Sequence, residues 1–228
     1  MKKNNDFNVF LLQEILFNYD IRIQKLSIYI EAFTHSTYAN ENNKKYNYER
    51  LEFLGDSAIS WIITNYLFSK TNKNEGLMST IKSKLVSGTN FASIAKKLNL
   101  EKLILVGHGM KKDGITDKVL ENVFEALVGA ICQDSGIKKA SKFIYQLIIL
   151  PFEKGEISVE KPYKTLIQEA LGRTEKNDIK YIHLNSNNEY PRKVNLVFNN
   201  NIYGYGEGKT LHEAEENAAH DAYKKLSK

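Results

Sequence analysis

Glu49-Arg50-Leu51-Glu52-Phe53-Leu54-Gly55-Asp56-Ser57 is the stretch on which the reading of this chain turns. Glu52 and Asp56 stand one helical turn apart, and Glu49 stands just under a turn before Glu52. At about 100° per residue all three carboxylates fall within about 60° on one helix face. Ile59, Ile62, Ile63, Tyr66 and Leu67 continue the helical spacing beyond them. A solvated acidic face is usually broad and mixed with Lys. This one is a narrow stripe, on a helix predicted through Trp61 and Leu67 to be buried on most other sides. Crowded carboxylates repel and raise one another's pKa. A hard divalent cation such as Mg²⁺ removes that cost and takes carboxylate oxygens as ligands.

A second segment, Asn122-Val123-Phe124-Glu125-Ala126-Leu127-Val128-Gly129-Ala130, again sets one acid, Glu125, inside an apolar helical run, with Asn122 one turn before it. Gly55 and Gly129 are poor choices for a helix interior unless two backbones approach closely. Helices crossing at these glycines would bring Glu52, Asp56, Asn122 and Glu125 together. The bland alternative, two acidic surface faces, stays open on the residues alone.

Working outward, residues 6–153 read as one helix after another. Phe7, Phe10, Leu11 and Ile15 recur at helical spacing, and Thr89 is placed to cap a helix carrying Phe91, Ile94, Ala95 and Leu98. The pattern stops at Pro151. Residues 154–161 are short and polar and read as a linker. The pattern over 162–228 is different. A helix over Tyr163–Leu171 precedes three strand-like segments, of which Val194, Leu196 and Phe198 alternate with polar residues. Asn199-Asn200-Asn201 suits a hairpin turn, because Asn tolerates positive φ. Ala214, Ala218 and Ala222 then form a small-residue stripe on a last helix. The order α-β-β-β-α is a small two-layer α+β domain.

The chain has 228 residues, 42% hydrophobic and 26% charged, which is the composition of an ordinary globular protein and not of a disordered one. The formal charge of +5 mildly favours a polyanionic partner, but no basic arm exists. Residues 158–228 carry 11 Lys/Arg against 10 Asp/Glu. Cys132 is the single cysteine and reads as a small core residue, so no intrachain disulfide forms and a secreted scaffold is disfavoured. Met1-Lys2-Lys3-Asn4-Asn5-Asp6 is not followed by a signal-peptide core, and no apolar stretch approaches a membrane span. A cytoplasmic location with no membrane association is therefore expected.

Glu49–Ser57 resembles the signature of the ribonuclease III family at every position. Phe33-Thr34-His35-Ser36-Thr37-Tyr38-Ala39-Asn40-Glu41 is similar to the stretch upstream of that signature. Glu75–Ser79 with Lys84–Ser87, Leu105–Gly109 and Val123–Ala130 resemble its later segments in the right order. The α-β-β-β-α unit resembles a double-stranded-RNA-binding domain. The resemblance implies an all-α nuclease domain over 6–153, a linker over 154–161 and a double-stranded-RNA-binding domain over 162–228.

It further implies a homodimeric endonuclease that cuts double-stranded RNA by Mg²⁺-dependent hydrolysis to 5′-phosphate and 3′-hydroxyl ends, with Mn²⁺ a possible substitute and rRNA precursors among its substrates. Carried over by position, Glu52, Asp56 and Glu125 are metal ligands, Asp56 and Glu125 are catalytic, and Glu49 supports them. Phe53 projects to the partner subunit. The family's remaining ligand is an Asp, and here Asn122 takes its place. An amide oxygen ligates a cation but brings no charge, so metal affinity is expected to be weakened. Thr34, His35 and Ser36 have no triad-like carboxylate partner and read as structural.

For the RNA, the resemblance places Thr165, Gln168 and Glu169 against a minor groove. Lys209 stands at the start of the last helix, where Leu211 and His212 replace a phosphate-bridging Lys pair; the helix amides there still favour a phosphate. The loop Asn187-Asn188-Glu189-Tyr190-Pro191 is shorter than the family's and lacks its His. Binding is expected to be weak and shallow in salt dependence. Two other readings remain beside the endonuclease: a catalytically silent RNA-binding dimer, resting on Asn122, and a structural helical protein that uses neither site.

Overall fold

The acidic stripe lies near the start of the longest helix of the chain, and the rest of the first unit is packed to hold that helix against another. The structure, a computed structural model, describes residues 7–70, 74–157, 162–171, 179–185 and 190–226. The start of the chain at 1–6, the second half of the expected linker at 158–161, and residues 187–189 of the loop noted above lie outside the described residues. Contacts divide the chain into two units, Met1–Asn74 with Ile81–Ser158, and Val159–Lys228 with Glu75–Thr80.

The first unit contains α1 (Val9–Phe17), α2 (Leu26–Ala32), α3 (Ser36–Glu41), α4 (Glu49–Lys70), the part of α5 (Glu75–Leu85) from Ile81 on, α6 (Gly88–Lys97), α7 (His108–Asp113), α8 (Asp117–Ser135), α9 (Ile137–Ile144) and α10 (Leu150–Glu153). Helix α8 is the axis of the core. Every residue from Val123 to Ile131 is buried, and all but Glu125 are apolar, as a helix packed all round requires. It packs on α2, α4, α6 and α9. Thr116 Oγ1 caps its start by accepting from Val119 N, and Gly136 at φ 84° ends it.

Several local readings need correction. In α1 the buried residues are Leu12, Ile15 and Leu16, while Phe10 is 85% exposed, so the apolar face was misphased. Ser87, not Thr89, caps α6, because Ser87 Oγ accepts from Asn90 N and the helix already begins at Gly88. Trp61 is 58% exposed although Ile59, Ile62, Ile63 and Leu67 of the same helix are buried. The helical run does not stop at Pro151. A π-helical segment, Tyr145–Ile149, joins α9 to α10, and its wider turn accommodates the missing N–H and the ring of Pro151. Cys132 is half-buried rather than fully in the core, and burial pushes its thiol pKa up to about 11.

The second unit is α11 (Tyr163–Leu171), β1 (Ile179–His183), β2 (Arg192–Phe198), β3 (Asn201–Gly208) and α12 (Leu211–Leu226), the α-β-β-β-α order read from the sequence. The antiparallel sheet runs β1-β2-β3. Asn199 (φ 48°) and Asn200 (φ 64°) make the β2–β3 turn, the positive-φ pair that a two-residue hairpin demands. The alanine stripe of α12 meets glycines of β3. A Cβ on Gly204 would lie 2.1 Å from Ala218 O, and one on Gly206 would lie 2.2 Å from Ala218 N. Helix and strand backbones therefore touch, over a core of Ile167, Val194, Leu196, Ala214, Ala218, Ala219 and Ala222.

Candidate active site

Helix α4 is launched by Asn47, whose side chain accepts from Glu49 N, and Glu49 and Glu52 in its first turn complement the helix dipole. Upstream, Tyr48 N donates to Thr34 O at 2.9 Å, which ties the helix entry to the segment before α3. His35 caps α3 by accepting from Thr37 N, and Thr34 Oγ1 donates to Ile30 O, so both side chains are committed to structure.

The crossing of α4 and α8 is set by Gly55 and Gly129. A Cβ on Gly55 would lie 1.8 Å from Glu125 O, and one on Gly129 would lie 2.1 Å from Leu51 O. No other residue permits that approach, and it places the Glu52–Asp56 turn of α4 beside the Asn122–Glu125 turn of α8. Glu49 and Asp56 are exposed, Glu52 is half-buried, and Glu125 is buried at 8% exposure.

The acids sense one another. Burial, then Asp56, Glu121 and Glu52, push the Glu125 pKa up to about 8, against the pull of Lys118. Burial, with Glu49, Glu121 and Asp56, also raises Glu52, again against Lys118. Among the described residues no three His, Cys, Asp or Glu side chains converge on one point. Mutual repulsion favours such a splayed arrangement of carboxylates on backbones that are already close.

Asn122 carries a further mark. Its Oδ1 is buried with no hydrogen-bond partner, while its amide lies against the Tyr48 hydroxyl, a contact that offsets part of the burial raising the Tyr48 pKa. A buried acceptor without a donor is costly. An unsatisfied amide oxygen beside carboxylates short of counter-charge is a set of hard oxygen donors, which fits a hard divalent cation.

Two neighbours of this cluster were missing from the sequence reading of the site, Tyr48 and Lys118. Glu121, the spare carboxylate nearest Asn122 in the sequence, lies about 100° round the helix from it. Its carboxylate pairs with Lys118 and lies against Gly88, yet it is near enough to raise both Glu52 and Glu125.

The raised Glu125 gives a pH prediction. A carboxyl with a folded pKa of about 8 and an ordinary value of 4.5 contributes stability that is present below about pH 4.5 and lost as pH rises through about 8. Glu125→Gln removes the titration. In EDTA the variant should melt about 10 °C above wild type at pH 8.5, with most of the gain gone at pH 5. An equal shift at both pH values would show that charge burial at Glu125 is not the cause.

Phe53 is 79% exposed, which rules out packing in its own core. It borders an opening lined by Ile28, Leu51, Leu54 and Gln133. In the second unit, Gln168 and Glu169 are exposed on α11 and Thr165 is half-buried. Lys209 and His212 are exposed at the start of α12. That helix start is already served by its own residues. Thr210 Oγ1 accepts from Glu213 N at 3.1 Å, and the Glu213 carboxylate accepts from Lys209 N at 2.7 Å. The Glu213 carboxylate thus sets a negative charge beside the place expected to favour a phosphate.

Residues 26–152 match the family described as Ribonuclease-III-like, and residues 163–226 match the double-stranded RNA binding motif. The Ribonuclease 3 of Ureaplasma parvum serovar 3 is 40% identical over 216 residues, covering 90% of this chain and 91% of that protein. The Ribonuclease 3 of Mycoplasmoides gallisepticum is 34% identical over 94% of this chain, which spans only 33% of that longer protein. Among solved structures, the nuclease domain of ribonuclease III from Campylobacter jejuni superposes with a TM-score of 0.57 at 31% identity, over 62% of this chain and 99% of that one. The same structure is described as flexible in a region involved in dimer formation.

Proposed function

The chain belongs to the ribonuclease III family of endoribonucleases, and on that premise we propose that it is a Mg²⁺-dependent homodimer that hydrolyses double-stranded RNA to 5′-phosphate and 3′-hydroxyl ends. The observation that carries this reading is the contact of α4 and α8 at Gly55 and Gly129, beside which lie the acids Glu52, Asp56 and Glu125 and the unpartnered Oδ1 of Asn122. Those four residues would hold the cation, with Glu49 supporting them. When bound, Mg²⁺ lowers the pKa of a water and polarises the scissile phosphate. Asp56, exposed on α4, and Glu125, buried on α8, would orient the attacking water by accepting its hydrogen bonds. The burial of Glu125 keeps that side of the site dry. Mn²⁺ is the expected substitute cation at a site with a neutral ligand.

Phe53 is assigned to the dimer contact, since a large aromatic left exposed at the edge of an opening that Glu31, Glu49 and Arg50 also line asks for a partner. The domain limits are taken as 6–153 for the nuclease and 162–228 for the RNA-binding domain. The second domain is assigned to the duplex, through Thr165, Gln168 and Glu169 on α11 and Lys209 and His212 near α12. A cytoplasmic enzyme acting on rRNA precursors and other long RNA stems is the matching role. No helix among the described residues is long and apolar enough to cross a membrane.

With Leu211 in place of a cation and Glu213 at the start of α12, few counterions are released on binding. In full-length protein the slope of log Kd against log salt should be about 3 or less in magnitude, by fluorescence anisotropy. A slope of about 6 would contradict this placement of charges.

A second reading, an RNA-binding protein with little or no cleavage, draws on the neutral Asn122. The experiment that separates the two is incubation of the protein with a labelled RNA duplex of about 40 base pairs, long enough to span both minor grooves that one such domain contacts. Single-stranded RNA and duplex DNA of the same sequence serve as controls, with Mg²⁺ or EDTA. Mg²⁺-dependent cutting of the RNA duplex alone, with 5′-phosphate ends, supports the endonuclease. Binding without cutting in both Mg²⁺ and Mn²⁺ supports the second reading.

A further inference from the structure

We propose that Tyr48 is a positioning residue of the cation site, its hydroxyl holding the Asn122 side chain so that the amide oxygen, and not the nitrogen, is offered to the cation. This role rests on the endonuclease reading above, which puts a cation between α4 and α8.

Tyr48 is the residue before α4, and the rest of it is committed to the fold. Tyr48 N donates to Thr34 O, and Tyr48 O accepts from Glu52 N, each at 2.9 Å. Its ring meets the His35 ring edge-on, with 5.6 Å between centroids. The residue is only 6% exposed. The hydroxyl therefore has a fixed place, and that place is against the Asn122 side chain of α8. The amide donates to the phenol oxygen, which draws the Tyr48 pKa down against the burial that raises it. Asn122 Oδ1, on the other branch of the amide, is buried with no partner.

An amide is a two-sided ligand. Its oxygen and nitrogen are nearly alike in size, so packing does not tell them apart, yet only the oxygen takes a hard cation. The acids of the site favour the wrong side. Carboxylates are acceptors, and in the absence of a cation Glu52, Asp56 and Glu125 attract an N–H. An aspartate at position 122 would offer an oxygen whichever way it turned. The asparagine needs an acceptor elsewhere that takes up its N–H, and the Tyr48 hydroxyl is such an acceptor. With Nδ2 engaged there, Oδ1 is left free before the cation arrives, and binding does not have to turn the side chain first.

The competing role is structural, in which Tyr48 anchors the entry of α4 and its hydroxyl adds nothing to the site. The two roles part when position 122 becomes symmetric. Beside Asn122→Asp a positioning hydroxyl is dispensable, whereas an anchoring one is needed as much as before.

The test is titration of Mn²⁺ into RNA-free full-length protein, read from the electron paramagnetic resonance signal of the free ion, for wild type, Tyr48→Phe, Asn122→Asp and the double variant. Tyr48→Phe keeps the ring and both backbone bonds. It should weaken Mn²⁺ binding about tenfold, the worth of about one hydrogen bond. Its melting temperature in EDTA should stay within about 3 °C of wild type, because the released N–H turns to the acids. Added to Asn122→Asp, the same substitution should change Mn²⁺ affinity by less than about twofold. Single-turnover cleavage by Tyr48→Phe should need more Mg²⁺ for half-saturation and reach the wild-type rate once Mg²⁺ saturates. An unchanged Mn²⁺ affinity in Tyr48→Phe, or an equal loss in both backgrounds, would overturn the positioning role while leaving the endonuclease standing. A wild type that binds no Mn²⁺ would remove the role and the cation site together. The expected coupling in Mn²⁺ binding, found in a protein that never cuts duplex RNA, would sustain the role and sink the endonuclease.

Discussion

Asp56→Asn should lower the rate of duplex cleavage at saturating Mg²⁺ by about a thousandfold, which corresponds to about 4 kcal/mol of transition-state stabilisation. RNA affinity should stay within about threefold, because Asp56 adds nothing attractive to a polyanion. The argument is one of charge and place. Asp56 is the exposed acid of the α4 stripe, one turn from Glu52 and beside Glu125 across the helix crossing. The amide keeps its size and removes its charge. Its effect on fold should be small or favourable, since Asp56 is the charge that, after burial, does most to raise Glu125. A variant that cuts at the wild-type rate would move the chemistry away from this helix.

Gly55→Val has the other large effect, on folding. A Cβ at position 55 would sit 1.8 Å from Glu125 O and 2.6 Å from Glu125 C, and both belong to backbone that has no rotamer to yield. The helices must separate, and α8 lies in the middle of the core. Overpacking of this kind costs about 3 kcal/mol or more and should drop the melting temperature of the nuclease unit by about 10 °C. Glu52 and Glu125 move apart with the helices, so activity should fall even below the melting range. The same substitution at Gly109, where an added Cβ meets nothing within 4 Å, should be nearly silent and serves as the control. Equal melting temperatures for the two variants would mean that α4 and α8 do not touch at Gly55.

Much of this was legible because the relevant signals are local. The three-and-four spacing of Glu49, Glu52 and Asp56 fixes a helix face without knowledge of any other residue, and glycine inside an apolar helix announces a close neighbour. The same holds for the alanine stripe of α12, whose partners proved to be Gly204 and Gly206. What failed was the sidedness of apolar residues. Phe10 and Trp61 are apolar and exposed, and periodicity alone does not tell a face that meets the core from one left on the surface. Ser87 and Thr89 are both good caps two residues apart, and only the backbone at Gly88 decides between them. Lys118 was missed for a different reason. A lysine in the first turn of a helix reads as solubilising charge, and its reach to Glu52 exists only because α4 crosses α8. Glu213 was overlooked in the same way, as one more surface acid, although it closes the start of α12.

The most direct test of a cation held between α4 and α8 and used to cut duplex RNA is the Mg²⁺ dependence of single-turnover cleavage for wild type and Asn122→Asp. The Asp restores a charge where a buried amide oxygen has no partner. It should lower the half-saturating Mg²⁺ concentration by about tenfold, about 1.4 kcal/mol of added attraction. If instead both proteins cut with the same Mg²⁺ requirement, Asn122 does not face the cation, and the site must be sought elsewhere.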